Sequence, residues 1–135
     1  MRILGLDVGE RTIGVAVSDA LGWTAQGVTV IRRQNLQADL NALRALVNEY
    51  EVGKFVVGLP RRTDGSYGPE AEKVRAFARK LEGELGLPVE YWDERFSTAA
   101  AEKALLEGDV SRAKRKQVID KVAAVVILQA YLDRQ

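Results

Sequence analysis

The stretch RILGLDVGERTIGVAVSD (residues 2–19) holds two apolar runs separated by a short charged turn. The first run, Arg2 to Val8, is almost continuously apolar and ends beside an acid, which is typical of a buried central strand. Gly9-Glu10-Arg11 is the turn, and the β-branched run from Thr12 to Val17 is predicted to be the hairpin partner. A third strand is expected from Thr24 to Arg32. The N-terminus is therefore predicted to form an antiparallel meander.

Downstream of this meander, helical and strand patterns alternate. Asn35 is the expected N-cap of a helix that runs to about residue 51 and is stopped by Gly53. The further predicted elements are a strand at Lys54–Gly58, a helix that starts at Pro69 and ends by Gly86, a strand at Val89–Trp92, a helix at 97–107, a basic connector at 108–115 and a last helix at 118–132. The order β-β-β-α-β-α-β-α-α predicts an α/β fold, a mixed five-stranded sheet flanked by helices, in one domain spanning residues 1–135.

The composition excludes several classes of chemistry. The chain has no cysteine and no histidine, so disulfides, zinc-thiolate sites, cysteine nucleophiles and Ser-His-Asp triads are excluded. The apolar run before Asp7 is too short for a signal peptide or a membrane span, so a cytoplasmic protein without a membrane partner is expected. The net charge of +1 does not by itself indicate a polyanionic partner.

Acids stand at the ends of three predicted elements. Asp7 ends the most apolar strand, Asp93 and Glu94 end the fifth strand, and Asp120 opens an apolar face of the last helix. Each has a structural alternative: Asp7 can accept turn amides, Asp93 or Glu94 can pair with Arg95, and Asp120 can interact with the helix dipole in the first turn. Strand alternation alone leaves open which of Asp93 and Glu94 shares the side of Asp7.

Taken together, these acids indicate a site for hard cations. Carboxylates without histidine or cysteine suit Mg²⁺ or Mn²⁺. Two such ions, roughly 3.5–4 Å apart, can activate a water and stabilise the leaving oxygen of a phosphodiester. The predicted catalytic and metal-binding residues are therefore Asp7, Asp93 or Glu94, and Asp120.

Two basic segments are candidates for contacting a nucleic-acid backbone. The loop GLPRRTDGSYGPEA (residues 58–71) carries adjacent arginines and glycines before a helix N-terminus, but it lacks the ending of a P-loop. The segment GDVSRAKRK (residues 108–116) precedes the helix that carries Asp120 and could guide a phosphate backbone toward it. The alternative is an ordinary solvated connector. Tyr67, Tyr91 and Trp92 are candidates for stacking bases, although core packing suits Trp92 better. The predicted substrate-binding residues are Arg11, Arg61, Arg62, Arg95, Arg112, Lys114, Arg115 and Lys116.

Four blocks resemble the signatures of the YqgF/RuvX family. They are LGLDVGERTIGVAVSD, VVGLPRRTDGSYGPEA, WDERFSTAAAE and IDKVAAVVILQAYLD, in the family's order across nearly the whole chain. The resemblance implies an RNase H-like fold and a nuclease that matures the 5′ end of pre-16S ribosomal RNA. It assigns the metal-site acids to Asp7, to Asp93 or Glu94 with the motif favouring Glu94, and to Asp120. Arg61-Arg62 departs from the less basic pair of many relatives, which leaves substrate contacts in that loop open.

Other functions remain as alternatives. A resolvase acting on single-stranded or branched DNA, or on a Holliday junction, is one, and a non-catalytic RNA-binding factor in ribosome assembly is another. The first hairpin also resembles the phosphate-binding hairpin of sugar kinases, actin and Hsp70 proteins, but 135 residues cannot supply their second lobe. Both a monomer and a homodimer are compatible with the sequence.

Overall fold

A computed structural model describes residues 1–61, 64–93 and 112–134, with the backbone alone over 112–120. The predicted helix at 97–107 lies outside these residues. The described elements are β1 (Arg2–Val8), β2 (Thr12–Ser18), β3 (Ala25–Arg32), α1 (Leu36–Tyr50), β4 (Val52–Leu59), α2 (Pro69–Leu85), β5 (Val89–Asp93) and α3 (Arg112–Asp133).

The five strands form one mixed sheet in the order β3-β2-β1-β4-β5. β1 is central: it pairs antiparallel with β2 and parallel with β4, and β4 pairs parallel with β5. Leu4, Gly5 and Leu6 of β1 are buried, as a strand covered on both faces requires. The predicted meander and the mixed five-stranded α/β sheet are confirmed.

Helices cover both faces of the sheet. Leu4 and Leu6 of β1 pack with α1 and α2, whereas Ala16 and Val56 pack with Ala124 and Leu128 of α3 on the opposite face. The two apolar clusters are separated by the sheet because side chains alternate along each strand. The face under α3 is the one that Gly5 and Asp7 share.

Three of the predicted helix ends are confirmed. Asn35 caps α1, with its side-chain oxygen accepting from the Ala38 amide at 2.9 Å. Pro69 stands at the first position of α2, and Gly86 ends that helix with a left-handed φ of 71°. The prediction that Gly53 stops α1 is wrong. The helix ends at Tyr50, with Glu51 as its C-cap at a φ of 53°, and Gly53 already lies in β4.

The last helix starts earlier than predicted. It begins at Arg112, so the expected connector at 108–115 and the expected start at 118 are wrong for the part that is described. Arginine, alanine and lysine all favour helix, which lets the basic run extend it. Position 120 therefore lies beyond two turns into α3, and the dipole interpretation of Asp120 is wrong as well.

Candidate active site

Asp7 lies near the end of β1 on the face covered by α3. It is half-buried and pairs across the hairpin with Gly14. On its other side the Leu6–Val57 pair places Gly58 of β4 next to it. Both lateral neighbours on this face therefore lack a side chain. No side chain of these two neighbouring strand positions lies beside the Asp7 carboxylate.

Position 120 lies on the helix stripe that approaches β1. Ala124 and Leu128, one and two turns further along α3, are fully buried. A Cβ on Gly5 would lie 2.7 Å from the Leu128 Cβ and 3.4 Å from the Ala124 carbonyl oxygen. Positions four residues apart share one side of a helix, so position 120 belongs to this stripe. The Asp120 side chain itself is outside the described part of the structure.

β5 shows which way its acids are directed. Trp92 packs with the α3 cluster, where its ring meets that of Tyr131 edge-on at 6.1 Å between centroids. Asp93 follows Trp92 and so belongs to the opposite side of the strand. Glu94, which alternation would assign to the side of Trp92, lies outside the described residues. The packing role expected for Trp92 is consistent with this contact.

Asp93 makes an ion pair with Arg61. The Arg61 Nη1 atom lies 2.7 Å from Asp93 Oδ2, and the side chains are 21% and 13% exposed. A partly buried pair of this kind holds a guanidinium in one orientation more firmly than a surface pair does. Asp93, one of the four predicted acids, therefore has the cationic side chain of Arg61 as a partner.

The loop before α2 gathers two guanidinium groups around one ring. The Cζ atoms of Arg61 and Arg75 lie 4.6 and 4.7 Å from the centroid of Tyr67. Both distances are within the range of a cation–π interaction. Asp64 shapes the loop by accepting from the Ser66 hydroxyl and amide, and the hydroxyl contact chiefly lowers the pKa of Asp64.

The turn after Asp7 is held by the ion pair of Arg33 and Asp39, which was not predicted from the sequence. Arg33 donates from Nη1 to the Gly9 carbonyl at 2.7 Å and from Nε to Asp39 at 3.2 Å. Asp39 is only 2% exposed and also accepts from the Gln34 amide at 3.1 Å. The sole signal was an acid in the first turn of α1 shortly after an arginine.

The predicted basic residues have different positions. Arg11 is exposed in the β1–β2 turn, at the same end of the sheet as Asp7. Tyr91 is 40% exposed. Arg62 and Arg95 lie outside the described residues. For the remaining four the structure gives backbone positions only, in the first turns of α3: Arg112, Lys114, Arg115 and Lys116.

A second polar network fastens α3 at the other end of the sheet. Lys54 of β4 donates to the Tyr131 hydroxyl at 2.5 Å, and Tyr131 in turn donates to Glu90. Lys54 also lies 3.5 Å from Glu90. The bond to Tyr131 chiefly raises the pKa of Lys54, and burial chiefly raises the pKa of Tyr131.

The surroundings of Asp7 fit a divalent cation in their chemistry. The position offers a carboxylate next to two glycines, with α3 crossing the same face, and oxygen ligands are what Mg²⁺ and Mn²⁺ prefer. Among the side chains that the structure describes, no group of three acids forms a metal cage. In the same portion of the chain, no helix is both long and apolar enough to traverse a bilayer.

Solved structures with similar architecture define the fold class. A RuvC from T. thermophilus, solved in complex with a Holliday junction substrate, matches 99% of this chain and 95% of its own at a TM-score of 0.61 and 13% identity. A Fowlpox virus resolvase, solved with Holliday junction DNA, matches 99% of this chain and 98% of its own at a TM-score of 0.56 and 9% identity. The sheet and its helices have the RNase H-like fold of these resolvases.

Sequence comparison then gives the family. The model of the RuvX family, described as Holliday junction resolvase, matches residues 1–134, and the chain belongs to this family. A relative from Moorella thermoacetica is 66% identical over 134 residues, which cover 99% of this chain and 96% of the relative. That relative is named "Putative pre-16S rRNA nuclease". The predicted family is confirmed.

Proposed function

We propose that this protein is a metal-dependent nuclease that hydrolyses phosphodiester bonds and processes the 5′ end of pre-16S ribosomal RNA. The observation that carries the proposal is the position of Asp7. Its carboxylate stands near the end of the central strand, beside Gly14 and Gly58, on the face that α3 crosses. A partly buried carboxylate is costly unless it is paired or binds a cation, and the glycines on both neighbouring strands place no side chain beside it.

Asp120 is proposed as the second ligand. Gly5 contacts α3 at Ala124 and Leu128, and Asp7 lies two residues beyond Gly5 in β1. Asp120 lies one turn before Ala124 on the same stripe of the helix. A step of two residues in a strand is roughly 6.6 Å and one helical turn is roughly 5.4 Å, so the two positions are at comparable distances from the contact. This juxtaposition supports convergence of the two acids.

Glu94 is proposed as the third ligand in preference to Asp93. Asp93 is directed to the other side of β5 and pairs with Arg61 at 2.7 Å. A guanidinium that neutralises a carboxylate competes with a metal ion for its oxygens. Trp92 is on the side of Asp7, and position 94 would share that side if the alternation of β5 continued by one residue.

The proposed ligands would hold one or two Mg²⁺ or Mn²⁺ ions, which supply activation of water and charge stabilisation at the leaving oxygen. The protein's own residues orient the nucleic-acid strand. Arg61 follows β4 at the same end of the sheet as Asp7, and Arg11 is exposed in the adjacent turn. Arg33 and Asp39 fix that turn through the Gly9 carbonyl.

Ribosomal RNA is favoured over branched DNA by the name of the Moorella relative, which shares 66% of its residues with this chain. Resolution of Holliday junctions is the second candidate, and the description of the family model favours it. The two candidates require the same acids and differ in the shape of nucleic acid that must reach them.

The test compares three substrates with Mn²⁺: RNA spanning the pre-16S 5′ leader, unrelated single-stranded RNA of equal length, and a four-way DNA junction. Asp7→Asn is the inactive variant, and Asp133→Asn, an exposed acid at the far end of α3, is its matched control. We expect site-selective cleavage of the leader by the wild type and by Asp133→Asn only.

The outcomes separate the candidates. Selective cutting of the junction would replace the rRNA proposal by the resolvase. Binding of the leader without cleavage of any substrate would indicate a non-catalytic assembly factor. Equal cleavage by Asp7→Asn would reject the proposed site.

A further inference from the structure

Arg61, Tyr67 and Arg75 form a compact cluster at the entrance to α2, which we call the Arg-Tyr-Arg cluster. Tyr67 is 38% exposed, and the guanidinium carbon of each arginine lies within 5 Å of its ring centroid. Two like charges around one ring repel each other. The ring and the neighbouring acids compensate for this, because Asp93 holds Arg61 and Glu72 holds Arg75.

The two ion pairs do not use all the hydrogen-bond donors of the two guanidinium groups. A guanidinium carries five N–H donors in a planar fork. Arg61 uses Nη1 toward Asp93 at 2.7 Å, and Arg75 uses Nη1 toward Glu72 at 2.5 Å. Both arginine side chains are partly exposed, at 21% and 28%. The Nε of Arg61 is buried, so the donors that Arg61 can offer to a phosphate are on its terminal nitrogens. The ion pairs hold both guanidinium groups in one orientation, which favours charge-assisted hydrogen bonds to phosphate.

The cluster lies at the same end of the sheet as the proposed site, with Arg61 and Asp93 directed to the face opposite Asp7. Gly58 is beside Asp7, and Arg61 follows Gly58 by three residues. Neighbouring strands are about 4.8 Å apart and three residues span at most about 11 Å, so the Cα atoms of Asp7 and Arg61 are within about 16 Å. A nucleic-acid strand with one phosphodiester at Asp7 would reach the cluster with a phosphate a few nucleotides away.

We propose that the Arg-Tyr-Arg cluster is a phosphate-binding subsite for a single nucleic-acid strand, and that Asp93 is a positioning residue that orients Arg61. The inference rests on the proposed function for the identity of the ligand. It goes further by giving Tyr67 and Arg75 a role and by separating Asp93 from the metal ligands. The shared chemistry is the phosphodiester, which RNA and DNA both supply.

The experiment measures binding without cleavage. Fluorescence anisotropy with a labelled single-stranded RNA, and with DNA of the same sequence, is recorded in EDTA over a series of KCl concentrations. The variants are Arg75→Gln and Tyr67→Ala. Arg79→Gln is the matched control, because Arg79 is an exposed arginine one turn further along α2. A gel of the recovered strand shows that it is intact.

We expect Arg75→Gln to weaken binding and to reduce the slope of log K against log salt by about 0.7, the value for one phosphate contact on a single strand. Tyr67→Ala should do the same or more, since both guanidinium groups lose their support. Arg79→Gln should bind like the wild type. The strand whose slope changes, RNA or DNA, identifies the source of the phosphate.

Unchanged slopes for Arg75→Gln, an equal loss in Arg79→Gln, or a wild type that binds neither strand would overturn the subsite. Binding through the cluster by a protein that never cleaves would support the subsite and reject the nuclease.

Asp93→Asn tests the positioning role. We expect it to weaken strand binding in EDTA and to leave the Mn²⁺ affinity, measured by electron paramagnetic resonance, equal to that of the wild type. A fall in Mn²⁺ affinity would make Asp93 a metal ligand and overturn its assignment as a positioning residue.

Discussion

Gly5 and Leu128 are in such close approach that a Cβ at position 5 would lie 2.7 Å from the Cβ of Leu128. Real Cβ atoms do not come so near to one another, and the Leu128 Cβ is fixed to the backbone of α3. The absence of a side chain at Gly5 therefore sets the distance between the central strand and the helix that carries Asp120.

Replacing Gly5 by alanine should push α3 away from β1. We expect Gly5→Ala to lower the free energy of unfolding by about 1–3 kcal/mol, as overpacking does. Cleavage should fall by at least about tenfold, because small displacements of reacting groups are costly. Gly83→Ala is the control: nothing lies within 4 Å of its Cβ position in α2, so it should stabilise by about 0.5–1 kcal/mol. Urea unfolding of both variants measures the difference.

Asp39 should matter for both stability and activity although it is remote in sequence from every predicted acid. Asp39→Asn removes the charge that Arg33 contacts at 3.2 Å in a site that is 2% exposed. We expect a loss of about 1.5–3 kcal/mol, the range for hydrogen bonds to charged groups. Cleavage should also decrease because Arg33 fixes the Gly9 carbonyl.

Asn41→Ala, on the exposed side of the same helix, controls for this change. Its only described side-chain partner is Gln37 at 3.0 Å, so the expected cost is below about 0.5 kcal/mol. Equal losses for the two variants in urea unfolding would show that the Arg33–Asp39 pair has no special role.

Alkaline pH should weaken the attachment of α3 through Lys54 and Tyr131. Both groups have a pKa above the ordinary value in the folded protein, mainly through their mutual hydrogen bond for Lys54 and through burial for Tyr131. A raised folded-state pKa gives stability that is complete below the unfolded-state pKa, about 10 for tyrosine and 10.4 for lysine. That stability is lost as pH rises through the higher folded-state values.

The wild type should therefore lose more stability than Tyr131→Phe as pH rises above about 10, while the difference between them stays constant from pH 7 to 9. Urea unfolding at each pH measures this. Parallel curves for the two proteins above pH 10 would contradict the role of the network.

Local signals in the sequence were sufficient for much of the fold. The apolar run of β1 predicted the central strand, and Asn35, Pro69 and Gly86 marked helix ends because each residue has a chemical reason to be there. The prediction that Gly53 stops α1 failed because it used only the general tendency of glycine to break helices. Here Gly53 lies in β4, where a Cβ would be 2.8 Å from the Met1 Sδ atom, a contact between residues distant in the chain.

The candidate site was predictable only in part. The type of residue and its place at an element end identified Asp7 as a candidate. Sequence could not decide between Asp93 and Glu94, since the choice depends on which face of β5 meets α3. The Arg61–Asp93 pair joins residues 32 positions apart, and the approach of Arg61 and Arg75 to the Tyr67 ring depends on the folded loop. Pairings of this kind are set by tertiary structure and leave no periodic signal.

The most direct test of the proposed metal site is to measure Mn²⁺ binding to the whole protein by electron paramagnetic resonance. The proteins compared are the wild type, Asp7→Asn and Asp133→Asn. Loss of an outer-shell partner typically costs roughly 10–100-fold in metal affinity, and loss of a ligand should cost at least as much. We predict that Asp7→Asn binds Mn²⁺ at least about tenfold more weakly and that Asp133→Asn binds like the wild type. Equal Mn²⁺ affinity in all three proteins would contradict a metal site at Asp7.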